Sequence, residues 1–99
     1  MAQPQTFEVT LYPAERSTHG TIQTKIRLSE KYPSKTFDAR TTAEVIGVVE
    51  RFAADHGQGC SAYVHLKSKG ARKPAGFDAA TRNLYYNLDG PATASVDAA

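Results

Sequence analysis

Apolar and polar residues alternate along Phe7-Glu8-Val9-Thr10-Leu11-Tyr12, which predicts a strand with Phe7, Val9 and Leu11 on one face and Glu8, Thr10 and Tyr12 on the other. Pro13 lacks a backbone donor and is expected to end it. The alternation returns over residues 21–28, placing Ile22, Ile26 and Leu28 toward a core and Gln23, Lys25 and Arg27 away from it. Two adjacent runs of this kind predict an antiparallel hairpin. A turn around Pro33 follows, and residues 35–38 form a short third strand.

The period then changes. Val45, Ile46, Val48, Val49, Phe52 and Ala53 recur at helical spacing as one apolar stripe, with Glu44, Glu50, Arg51 and Asp55 facing elsewhere. Thr41 and Glu44 make a capping box, in which hydroxyl and carboxylate each satisfy a backbone N–H that has no partner in the first turn. Gly57 suits the left-handed residue that closes a helix, and His56 in the last turn complements the dipole. The helix is predicted over 42–56. Opposite the stripe, Ala43, Gly47 and Ala54 make a flat small-residue surface through which a homodimer could form.

Period two resumes over 60–67, with Ala62, Val64 and Leu66 inward and Tyr63, His65 and Lys67 outward. Residues 68–76, rich in Lys, Arg, Gly and Pro, read as a mobile basic loop. Over 77–88, Asp78 is a helix-cap signal, but Leu84, Tyr86 and Leu88 at spacing two favour a strand. Residues 90–99 contain no aromatic and one Val, and predict a flexible tail after a single domain over 1–89.

The expected fold is therefore α+β: a mainly antiparallel or mixed sheet of four to five strands with one amphipathic helix packed on one face. An arrangement of the β-grasp kind has the same strand, strand, helix, strand, strand order.

Composition narrows function more than it names it. Ninety-nine residues make one domain with a thin core, which favours surface recognition over a deep enclosed site. The net charge is only +2, from 12 Lys plus Arg against 10 Asp plus Glu, so the whole-molecule charge demands neither nucleic acid nor an anionic membrane. A lone Cys60 suits a reducing compartment, residues 1–4 lack the basic and apolar blocks of a secretory signal, and no apolar run is long enough to span a bilayer. These features point to the cytoplasm and away from a membrane partner.

Three further features bear on chemistry. His56, Cys60 and His65 lack the paired short spacing of a zinc site, and Cys60 opening an apolar strand reads as a small core residue rather than a nucleophile. Neither catalysis, metal nor cofactor is expected. Lys67, Lys69, Arg72 and Lys73 fall in a stretch, 56–77, that contains no acid, the main charge asymmetry of the chain. Finally, if the helix covers one sheet face, the other carries Tyr12, Lys25, Arg27, Tyr63, His65 and Lys67 together.

Tyr and Arg anchor protein interfaces, whereas rings interleaved with cations also stack bases and neutralise phosphates. An ordinary solvated sheet face has a similar composition. The expected function is a small binding protein, a regulator or inhibitor, that docks this face and the basic loop onto a protein or nucleoprotein. Direct nucleic-acid binding by the same residues is the alternative.

Overall fold

The structure, a computed structural model, describes residues 3–88, so the tail expected over 90–99 lies outside the described residues. At its centre is β1 (Gln5–Arg16), with Phe7, Val9 and Leu11 buried as their alternation requires. Along one edge runs β4 (Cys60–Leu66), antiparallel, with Phe7 opposite Leu66 and Pro13 opposite Cys60. The other edge of β1 is shared by two strands. The shorter, β2 (Ile22–Thr24), pairs with residues 14–16, and β3 (Ser34–Ala39) pairs with residues 5–10. A final short strand, β5 (Leu84–Tyr86), lies antiparallel to β4. The protein is thus a small α+β domain with an antiparallel five-stranded sheet and one main helix.

Pro13 does not end β1, which continues to Arg16; its effect falls on the neighbouring strand instead. On the β2/β3 edge the rungs run from Leu11 N–H to the Pro33 carbonyl and from Lys25 N–H to the Pro13 carbonyl. The donor needed between residues 11 and 15 would be the N–H that proline lacks. The partner therefore leaves the sheet after Thr24 and returns at Ser34, and residues 25–33 project as an arm.

That departure corrects the expected phase of the second strand. Gln23 lies opposite Glu15 and Ile22 opposite Arg16, so it is Ile22 and Thr24, not Gln23 and Lys25, that share parity with Tyr12. Ile26 and Leu28, expected in the core, are instead exposed on the arm. Tyr32 holds the arm's base: its hydroxyl accepts from the Arg27 N–H and donates to the Arg27 carbonyl at 2.9 Å.

The helix α1 (Thr42–His56) has the limits its caps require. Thr41 Oγ1 accepts the Glu44 N–H at 3.2 Å, and Gly57 closes the last turn at φ 77° with its N–H on the Ala53 carbonyl. Val45, Val49 and Ala53 are fully buried against the sheet, with Phe52 half-buried beside them. β3 and β4 both run antiparallel to β1, one on each side, so α1 crosses over β1 to connect them.

The segment expected as a strand over 77–88 divides in two. A single helical turn, α2 (Phe77–Ala80), precedes β5 because Phe77 is needed in the core, where its ring stacks 5.4 Å from Phe7, which also stacks on Phe37 at 5.8 Å. Thr81 closes the turn, its N–H and Oγ1 both donating to the Phe77 carbonyl at 2.9 and 2.7 Å. Asn83 and Asn87, at φ 56° and 58°, bracket β5 in the left-handed conformation that Asn tolerates. No helix among the described residues is long and apolar enough to cross a membrane.

Candidate functional site

Because α1 covers the face carrying Phe7, Val9 and Leu11, the opposite face presents the even residues of β1 and the odd residues of β4. Register places Glu8 beside His65, Thr10 beside Tyr63, and Tyr12 beside Ser61, with Tyr85 of β5 next in the row. The Tyr63 and His65 rings stack at 5.8 Å, and Tyr12 meets Tyr32 of the arm edge-on at 4.9 Å. Four tyrosines and a histidine therefore line one side of the molecule.

Two open grooves share Tyr63 as a wall. The first, about 490 Å³, lies between the arm and the α2–β5 turn and is lined chiefly by Tyr12, Ile26, Tyr63, Arg82, Leu84 and Tyr85. The second, about 540 Å³, lies between β4 and the loop before α2; His65, Ser68, Lys73, Asp78 and Thr81 are among its walls.

The electrostatics differ from a phosphate-binding surface. Glu8 sits between His65 Nε2 at 3.6 Å and Lys67 Nζ at 3.7 Å, with His65 Nδ1 buried and without a hydrogen-bond partner among the described residues. Lys25 turns to Glu15 at 2.9 Å and Arg27 to Glu30 at 3.0 Å. The Glu30 carboxylate beside it raises the Arg27 guanidinium pKa further above its ordinary value. Lys73 reaches Asp78 at 3.0 Å and lies 5.7 Å from the centre of the Phe77 ring. Of the expected cations, Lys69 and Arg72 alone have no ion pair among the described residues. Such exposed pairs are individually weak, but together they compensate most of the positive charge that the sequence assigned to the face.

The nine residues singled out from the sequence thus separate into groups. Tyr12, Tyr63, His65 and Lys67 come together on the outer face, and Lys69, Arg72 and Lys73 stay on the loop beside it. Lys25 and Arg27 do not join them: Lys25 falls on the parity of Glu15, and Arg27 belongs to the arm. In exchange the fold brings in Ile26, Arg82 and Tyr85. Tyr85 was legible in principle, since the alternation of Leu84 and Tyr86 turns the residue between them outward. Arg82 carried no local signal.

Cys60 is fully buried in the aliphatic core, and burial pushes its thiol pKa up, the opposite of an activated thiolate. His65, an odd number of residues further along β4, points to the other face, so this pair does not converge. On α1, Ala43 and Ala54 are exposed, and a Cβ on Gly47 would meet nothing within 4 Å among the described residues, so no close packing among them requires a glycine there. Comparison with protein-family models, with curated proteins and with solved structures finds no match to this chain.

Proposed function

We propose that this protein acts by binding rather than catalysis, docking the outer face of its sheet and the adjacent basic loop onto another protein or a nucleoprotein as a regulator or inhibitor in the cytoplasm. The observation that carries the reading is a cluster of exposed apolar surface. Tyr63 is 56% exposed, Ile26 65% and Leu28 fully exposed; Tyr63 and Ile26 share the walls of one groove, and Leu28 lies on the same arm as Ile26. Single exposed apolar residues are ordinary, but a group around a tyrosine-lined groove has the makeup of an interface centre. His65, Lys67, Lys69 and Arg72 supply a polar rim. The pairing of most nearby cations with the protein's own carboxylates favours a protein surface over phosphates, which would have to displace those carboxylates.

Affinity capture from cognate lysate, with and without nuclease, tests the proposal against a Tyr63→Ala/Ile26→Ser variant that leaves the core intact. The expected result is a protein retained after nuclease and lost with the variant. Retention of nucleic acid alone, released by moderate salt, would overturn it in favour of direct nucleic-acid binding.

A further inference from the structure

The groove between the arm and the α2–β5 turn has an uneven chemistry. Its walls are mostly apolar and aromatic, and among the described residues Arg82 is the one charged side chain lining it and no carboxylate does. Arg82 is exposed and makes no ion pair among the described residues, unlike Lys25 and Arg27 nearby. The hydroxyls of Tyr12, Tyr63 and Tyr85 make no hydrogen bond within the described residues. The site therefore offers apolar contact, three free phenolic donors and one unpaired guanidinium.

Each feature constrains the occupant. A guanidinium beside an apolar floor matches a carboxylate, which it can hold through two parallel N–H···O bonds. Phenolic donors spaced along a groove match backbone carbonyls that are not already bonded. An α-helix uses its carbonyls internally, whereas an extended chain leaves them free.

Resting on the protein-docking reading, we infer that the groove binds an extended, acidic segment of the partner protein. An apolar side chain packs among Tyr12, Ile26, Tyr63 and Tyr85, and a neighbouring Asp or Glu pairs with Arg82. The phenols donate to the segment's carbonyls, and the exposed Leu28 extends the apolar contact beyond the groove.

The test uses a library of linear peptides displayed on phage, selected on the full chain and in parallel on Arg82→Glu, with far-UV circular dichroism confirming that both fold alike. The expected peptides for the unaltered chain carry Asp or Glu next to an aliphatic or aromatic residue. Their affinity falls at least about tenfold with Arg82→Ala and hardly at all with Arg51→Ala on the helix, as loss of a charge-assisted pair implies. Selection on Arg82→Glu should enrich Lys or Arg at the acidic position. Basic or uncharged winners, the same winners on both proteins, or no enrichment would overturn the inference. So would a concentration-dependent dimer in sedimentation that Ile26→Ser abolishes, which would make a second copy the occupant. If lysate capture still retains a protein through Tyr63 and Ile26 while these results appear, docking stands and the acidic extended segment fails. If neither experiment yields a ligand, both fail.

Discussion

Replacing Leu28 or Ile26 by Ser distinguishes the observed path of the arm from a continuous hairpin. In a hairpin of uninterrupted alternation both side chains would enter the core, and truncating a buried Leu or Ile costs about 2–5 kcal/mol. Leu28 is instead 101% exposed, so no transfer free energy is at stake and Leu28→Ser should change stability by less than about 0.5 kcal/mol. Ile26 at 65% exposure buries about a third of its surface, and a third of the roughly 1.5–3 kcal/mol of full burial sets a loss of about 0.5–1 kcal/mol. Leu11→Ala, at 1% exposure in β1, provides the internal standard and should cost about 2–5 kcal/mol. Urea denaturation followed by far-UV circular dichroism reads all three, with unchanged slopes confirming a common unfolding transition. A loss above about 2 kcal/mol for Leu28→Ser would refute the arm and restore the hairpin.

Other substitutions probe the rest of the framework. Gly59→Ala would set a Cβ 2.8 Å from the Ala14 carbonyl oxygen and 3.2 Å from Leu88 Cδ2; since the backbone oxygen cannot swing aside, a loss of about 1–3 kcal/mol in urea denaturation is expected. Gly47→Ala meets open space in mid-helix and should stabilise by about 1 kcal/mol, read as a rise in Tm of several degrees. Burial raises both the Cys60 thiol and the Tyr86 phenol, the latter also facing Glu50. Both are neutral when protonated, so their contribution is complete below the ordinary values of 9.0 and 10.0 and is lost as pH rises through the higher folded values. The urea midpoint should therefore fall above about pH 9, and less so for Cys60→Ala than for the unaltered chain.

The outer face shows why part of the site was readable and part was not. Tyr63 and His65 alternate with Ala62 and Val64 within one strand, so local periodicity placed both away from the core, and Tyr12 followed from Leu11 in the same way. Glu8 was equally visible, but its role between His65 and Lys67 depends on β4 being the neighbour of β1.

Local physics also accounts for what was legible elsewhere. The helix limits at Thr42 and His56 follow from a hydroxyl cap and a left-handed glycine within a few residues of each end, and the inward triads of β1 and β4 follow from period two. Alternation reports which residues share a face, not which face is buried. For β1 the answer came with the bulk of Phe7, Val9 and Leu11, but residues 22–24 took theirs from register against β1, and residues 25–28 lie beyond that pairing. The strand ends beside Pro13, whose missing N–H lies more than eight residues away in the chain, where no window over the second strand reaches it. The turn at Phe77 likewise answers to a tertiary contact, the stacking of its ring on Phe7 in the buried core. Arg82 and Tyr85 line one groove with Ile26 for the same reason: residues distant in sequence are brought together through strand order, and strand order is a property of the assembled core.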